Sequence, residues 1–296
     1  MLDLRALRLF AAVVEHRGFS RAAKASHITQ PAVSRAVRQL ERKVGVSLLE
    51  RSARRLRLTE PGEVLYEHAR AIFALERAAE EELKARAGVE RGRLSIGAST
   101  TVATYLLPEL LASFARAHPG VDLRVASANT GEIVRRLLGY ELEVALVEGP
   151  VHDERVEVTP WRSDELVVIA PAKYPLANRG ALSPEDLSGE TLLVREGGSG
   201  TREVGEQALR AAGVQPARTL EIAGTEAIKQ AVAAGLGVAL VSRAAIADQV
   251  ALGRLATLPV SGLQTQRTFD LLRLRARRPG PAVLAFEALL TGGPGT

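Results

Sequence analysis

The chain has 296 residues, 46% of them hydrophobic, with no cysteine and a formal net charge of +5. That length and apolar content exclude a disordered chain and allow two or more cores, while the lack of cysteine excludes disulfides, thiolate metal sites and cysteine nucleophiles. The charge is unevenly held: residues 1–58 carry 13 of the 39 basic and 4 of the 34 acidic side chains, and the other 238 carry 26 and 30, so a polyanion partner is expected for the head alone.

The five histidines (His16, His27, His68, His118 and His152) form no pair at zinc-motif spacing, so no metal or other cofactor is expected. No run approaches roughly 18 apolar residues, and Met1-Leu2-Asp3-Leu4-Arg5 lacks the marks of a signal peptide. The expectation is a cytoplasmic protein without a membrane partner. Lysine supplies only 5 of the 39 basic residues, as a G+C-rich genome would favour.

A first helix is predicted over residues 3 to 16, where Leu4, Leu7, Phe10 and Val14 recur at spacings of three and four. Gly18 stops it. A second helix starts at Phe19-Ser20, with Ser20 placed to cap and Phe19 to staple the first turn. Its Ala22, Ala23 and Ala25 permit a close crossing, as a helix-turn-helix requires. After the turn at Ser26-His27-Ile28, Thr29 is placed to cap a third helix with Pro31 in its first turn, running to about Lys43 before Gly45. On that helix Val33, Val37, Leu40 and Val44 share one face, whereas Pro31, Ser34, Arg35, Arg38 and Arg42 share the opposite one. In a major groove, Gln30 would read adenine edges, Arg35 or Arg38 would pair with guanine, and Ser34 would contact phosphate or base. Residues Leu48 to Leu58 suit a β-hairpin wing that carries Arg51, Arg54 and Arg55 toward the backbone or minor groove.

The runs Phe19-Ser20-Arg21-Ala22-Ala23, Gln30-Pro31-Ala32-Val33-Ser34-Arg35, Gln39-Leu40-Glu41, Gly45, Leu48-Leu49-Glu50-Arg51 and Leu58-Thr59-Glu60-Pro61-Gly62 closely resemble LysR-type transcriptional regulators. The resemblance spans the whole chain. It implies a multidomain α+β architecture: an N-terminal winged helix-turn-helix, a linker helix that dimerises, and a C-terminal α/β effector domain of two lobes, periplasmic-binding-protein-like (type 2). It also implies dimers or tetramers on double-stranded DNA, with half-sites of an interrupted palindrome.

The expected divisions are 1–58 for the DNA-binding domain, 59–91 for the linker helix and hinge, and 92–296 for the effector domain. Thr59 is placed to cap the linker, with Glu60, Pro61 and Glu63 in its first turn. Leu65, Ile72 and Ala79, flanked by Ala69, Leu75 or Glu76, and Leu83, form a short heptad-like stripe suited to a partner chain. A helix packed on its own domain is the other reading, and Gly88 to Gly92 looks like a hinge. Beyond Arg93, strand-like runs beginning at Leu94, Asp122, Val144, Leu166, Thr191 and Val238 alternate with helical patterns, which means α/β with mainly parallel sheets. Lobe one would take 92–163 and about 267–296, and lobe two about 164–266.

Ligands in such folds bind beyond strand ends, at helix N-termini. Turns of this kind lie at Ser99-Thr100-Thr101, Asn129-Thr130, Gly198 to Thr201 and Gly224-Thr225. Each is also an ordinary capping sequence. Family resemblance implies that such turns surround one interlobe cleft, which makes Ser99, Thr101, Thr130 and Thr201, then Thr100 and Asn129, the candidate effector contacts. The small effector would be anionic or carboxylate-bearing. Glu148 complicates that site: it would repel a dianion unless the effector also brings a hydroxyl or amino group, or it instead caps a turn or pairs with an arginine. No Ser-His-Asp set, nucleophile elbow or P-loop lysine is present, so no enzyme is expected. A solute-binding or transferase-like domain fused to a DNA-binding head is the alternative, and an architectural DNA-binding protein would need no cleft.

Overall fold

Residues 1–51, 56–86 and 92–292 are described by the computed structural model. The chain divides into two units, Met1–Glu80 and Glu81–Thr296, with the division inside a single long helix rather than at a loop. Among the described residues no helix is long and apolar enough to cross a membrane.

The first unit holds α1 (Leu4–Glu15), α2 (Phe19–Ala25), α3 (Gln30–Val44), the hairpin β1 (Leu49–Arg51) and β2 (Leu56–Leu58), and the start of α4 (Glu60–Arg86). Asp3 caps α1 by accepting from the Arg5 amide at 2.9 Å. The buried side of α1 is Ala6, Leu7, Leu9, Phe10, Ala11 and Val13, and the expected Leu4 lies exposed in the first turn. Helix α2 starts two residues earlier than its capping pattern suggests. Gly18 precedes it, so Ser20 sits inside the first turn and caps nothing. Thr29 does hold the cap position of α3, in the extended backbone usual there, but without a side-chain capping bond. Val33, Val37 and Leu40 of α3 pack into a core with Phe10, Ala22, Leu48, Ala69 and Phe73. Gly45 ends α3 in the left-handed region at φ 76, the conformation that favours glycine at a helix C-terminus.

The first half of α4 belongs to that core: Leu65, Tyr66, Ala69, Ile72 and Phe73 all pack against it. Beyond, Leu75 is 67% and Leu83 68% exposed. The head's own core therefore takes up the stripe over about four turns of α4, and the stripe beyond them is exposed.

The second unit is built on a nine-stranded sheet in the order β4-β3-β5-β11-β6-β9-β7-β8, with β10 also on β6. Strands β3 (Gly92–Ser99), β4 (Val121–Ala128) and β5 (Val144–Glu148) run parallel, and so do β7 (Thr191–Val194), β8 (Arg218–Glu221) and β9 (Val238–Ser242). Strands β6 (Val156–Pro171) and β11 (Gln266–Leu274) join these two halves. β6 pairs with β11 up to Glu165, then with β9 from Leu166 and with β10 (Leu255–Leu258) from Val168, every pairing antiparallel. The change of partner at Glu165 and Leu166 separates the two lobes. The short strands β8 and β10, and the longer β11, escape the sequence reading; Arg218–Glu221 is mostly exposed and shows no apolar alternation.

Helices cover both halves, each lobe around its own core. After β3 come two helices rather than one, α5 (Thr100–Tyr105) and α6 (Leu107–Ala117), divided at Leu106 before Pro108. α7 (Thr130–Leu138) follows β4, and α8 (Gly200–Ala211) follows β7. α9 (Thr225–Ala233) follows β8, α10 (Ala247–Ala251) precedes β10, and α11 (Pro281–Gly292) closes the chain.

Candidate functional sites: a basic head and an interlobe cleft

The face of α3 away from the core is built as its periodicity requires. Gln30, Pro31, Arg35 and Arg38 are exposed, with Ser34 half-buried among them. Arg38 Nη2 donates to Ser34 Oγ at 3.1 Å, one turn apart, which draws that guanidinium along the helix. Arg42 and Lys43 continue the exposed basic row. The backbone of Arg51 lies in β1, while Arg54 and Arg55 fall outside the described residues.

The sequence motifs around this surface prove to be a scaffold. Glu41, near the end of α3, accepts from the amides of Leu48 at 2.9 Å and Leu49 at 3.4 Å, and so fixes the root of the wing to the α3 helix. Thr59 gives its hydroxyl to the Ser47 carbonyl at 2.6 Å and its oxygen to the Gly62 amide at 3.1 Å. Gly62 lies so close to the wing that a Cβ there would stand 2.0 Å from the Leu48 carbonyl oxygen. The run Thr59-Glu60-Pro61-Gly62 thus seats the linker helix on the wing. Arg8 pairs with Glu76 and stacks over Phe73 at 4.4 Å, a holding contact within the head.

In the second unit, Ser99, Thr101, Thr130, Glu148 and Thr201 come together where the two lobes meet. Each is at most 5% exposed. Ser99 Oγ donates to Glu148 Oε2, and Thr101 and Thr201 donate to Oε1 at 3.1 and 3.2 Å. Thr130 gives its hydroxyl to the Glu148 carbonyl at 2.8 Å. Glu148 therefore neither caps a turn nor pairs with an arginine; its carboxylate is satisfied by hydroxyls, as burial demands. Capping persists beside this role, since Ser99 also accepts from the Val102 amide at 3.3 Å.

The lobes touch through backbone here. Gly131 N donates to Gly198 O at 2.9 Å, and a Cβ on Gly149 would stand 2.5 Å from Gly200 Cα. Asn129 caps α7 and reaches across to Glu196 Oε1 and the Gly197 carbonyl, both at 3.3 Å. Thr100 takes no part in the hydroxyl cluster, and its Oγ1 is buried without a partner.

Several charged groups that complete the cleft were not legible in the sequence. Arg267, on β11, pairs with Asp164 of β6 at 2.7 Å, both side chains 3% exposed. Asp164 also accepts from Ser242 Oγ at 2.8 Å, and Arg267 Nη1 donates to Thr201 Oγ1 at 3.1 Å. Arg195 gives Nε and Nη2 to Glu196, each at 2.8 Å, and Nη1 to Thr225 at 2.8 Å. Burial of the Glu196 carboxyl opposes its ionisation, but the Arg195 guanidinium and the Gly224 amide outweigh that and draw its pKa down to about 2. At the other end of the contact, buried Lys229 donates to the Tyr105 hydroxyl at 2.8 Å and the Ala245 carbonyl at 2.6 Å. Burial and the neighbouring Glu226 push the Tyr105 phenol above its ordinary range.

Comparison with known proteins places both units. Residues 4–63 match the family model for the bacterial regulatory helix-turn-helix protein, lysR family, and residues 87–293 match that for the LysR substrate binding domain. A RuBisCO operon transcriptional regulator of Allochromatium vinosum is 39% identical over 97% of this chain and 94% of its own length. Full-length OxyR from Pseudomonas aeruginosa superposes with a TM-score of 0.77 at 26% identity, over 98% of this chain and 94% of that one. The CcmR regulatory domain of Synechocystis in complex with 2-PG gives 0.64 at 28% identity, over 68% of this chain and 97% of that one. Close relatives are named as regulators of transcription, and this protein is a regulator rather than an enzyme. With a basic helix-turn-helix head, an effector-binding domain and matches over nearly its whole length, the chain belongs to the LysR family of DNA-binding transcriptional regulators.

Proposed function

We propose that this regulator binds operator DNA as a dimer, or as a pair of dimers, and that a small acidic metabolite held between the lobes of the second unit changes how it engages and bends that DNA. In the head, Gln30, Pro31, Ser34, Arg35 and Arg38 would enter the major groove, with Arg51, Arg54 and Arg55 along the backbone. The exposed side of α4 around Leu75 and Leu83 would meet its counterpart in a second copy. Acting on the operator, the protein would work in the cytoplasm.

The observation that carries the effector reading is the convergence of Ser99, Thr101 and Thr201 from two lobes on one buried carboxylate position. Hydroxyls at helix starts, with a buried guanidinium beside them, suit a carboxylate or phosphate group. The similar CcmR domain solved with 2-PG is a precedent for a small molecule in a domain of this kind. Control then follows from differential affinity for two subunit arrangements.

The test is a thermal-shift metabolite screen, followed by footprinting of the operator with and without each hit. A hit should move the footprint, and Thr101→Ala should leave DNA affinity intact while blunting that response. A footprint unmoved by every hit, or a Thr101→Ala protein that responds in full, refutes the reading.

A further inference from the structure

The hydroxyls best placed to meet an effector carboxylate are spent on the chain's own. Ser99 and Thr101 of lobe one and Thr201 of lobe two all donate to Glu148, which is 2% exposed. A carboxylate enclosed by hydroxyls from both lobes has the surroundings that a bound acidic ligand needs. Next to it stands a donor that has no acceptor. Arg267 gives Nε to Asp164 and Nη1 to Thr201, and its Nη2 is buried without a partner. Glu148 faces Phe269 across the β5–β11 pair, and Arg267 lies two residues along β11, a diagonal spacing of roughly 7–8 Å that long side chains bridge.

We propose that Glu148 is an internal ligand of the cleft, and that a small oxyanion displaces it from Ser99, Thr101 and Thr201 while Glu148 turns onto the free Nη2 of Arg267. This rests on the cleft being the effector site. The exchange keeps every charge solvated: the anion takes the hydroxyl donors, the displaced carboxylate takes the guanidinium nitrogen, and Asp164 keeps Ser242 and Arg267 Nε. It also makes binding a change of state. The Thr201 to Glu148 bond ties the lobes when the anion is absent, and the anion replaces that tie when it enters.

Titration calorimetry of the full-length protein with inorganic phosphate and, separately, with malonate tests the competition and distinguishes phosphate from carboxylate chemistry. Glu148→Gln, a neutral and weaker acceptor of the same shape, should bind at least one of the two at least tenfold more tightly than wild type, and Glu148→Ala should do the same. Removing both Ser99 and Thr101 hydroxyls by alanine should abolish that gain. Arg267→Lys, which keeps a cation for Asp164 but loses the spare nitrogen, should weaken binding in the wild-type background and not in Glu148→Gln, where no displaced carboxylate needs it. Equal or weaker binding by folded Glu148→Gln and Glu148→Ala overturns the proposal, as does a lack of binding by every protein. Failure of the effector-site reading looks different: the Glu148 variants bind more tightly, yet anion addition leaves the DNA footprint of wild type and variants unchanged.

Discussion

Gly200→Ala and Gly205→Ala are the same change in one helix, α8, and should have opposite signs. Helix propensity favours alanine over an interior glycine by about 0.5–1 kcal/mol, so propensity alone predicts a gain at Gly205 and a smaller one at Gly200. At Gly205 nothing opposes it: the new Cβ would lie 3.6 Å from Leu240 Cβ and 3.8 Å from Leu166 Cδ1, ordinary contact distances. At Gly200 it would lie 1.8 Å from the Glu148 carbonyl oxygen and 2.7 Å from its carbon. That obstacle is β5 backbone, not the tip of a flexible side chain. The start of α8 would have to withdraw by about 1.5 Å to reach normal contact, and overpacking of this kind costs about 1–3 kcal/mol, more than the helix gains. The single tryptophan of the chain, Trp161, lies in β6 with its indole N–H on the Leu290 carbonyl at 3.3 Å, so its fluorescence during urea unfolding reads the second unit. Gly200→Ala should unfold at lower urea than wild type and Gly205→Ala at equal or higher urea. A Gly200→Ala protein as stable as wild type, or equal losses from both changes, would refute the contact argument.

Arg35→Ala should lower operator affinity and relax preference at one base position by about 1–3 kcal/mol, measured by binding across operator variants at fixed salt; unchanged preference removes Arg35 from base readout. Replacing Leu75 and Leu83 together by glutamate should shift sedimentation toward monomer while helical content holds, because the head's core uses Ala69 and Phe73 instead; an undisturbed oligomer would place the interface elsewhere. For Glu196 the folded pKa lies below the ordinary value of 4.5, so its stabilising effect is complete above about pH 4.5 and is lost as pH falls toward about 2. The stability advantage of wild type over Glu196→Gln, followed by Trp161 fluorescence, should accordingly shrink across that window. An advantage constant with pH would count against the Arg195 and Gly224 bonds as its source.

Much of the head was legible in its sequence because its forces are local. A stripe at three and four spacing names the buried face of α3 without knowledge of what it packs on, and glycine at 45 marks its end because one backbone conformation there disfavours a Cβ. Where local rules competed, they failed by small amounts: Ser20 and Phe19 both suited a helix start, and the structure begins the helix at Phe19. How far the head's core reaches along α4 was illegible, since its stripe reads the same whether it packs on the head's own core or on another chain.

The cleft divides the same way. Residue types at strand ends marked the turns at Ser99, Thr101, Thr130 and Thr201 as helix starts, where hydroxyls and amides gather because N–H groups are unpaired, and the resemblance to the family singled them out, with Glu148 beside them, as one cleft. Sequence by itself determined that inventory, the basic head and the α/β character of the body. Only the tertiary structure decided that Glu148 would take those hydroxyls, and that Arg267 and Asp164, 103 residues apart, would be buried as a pair beside them. The physical reason is range: capping and periodicity act within a few residues, whereas the pairing of buried charges is set by which strands lie adjacent. Here that adjacency arises from β6 and β11 running side by side through the junction of the lobes.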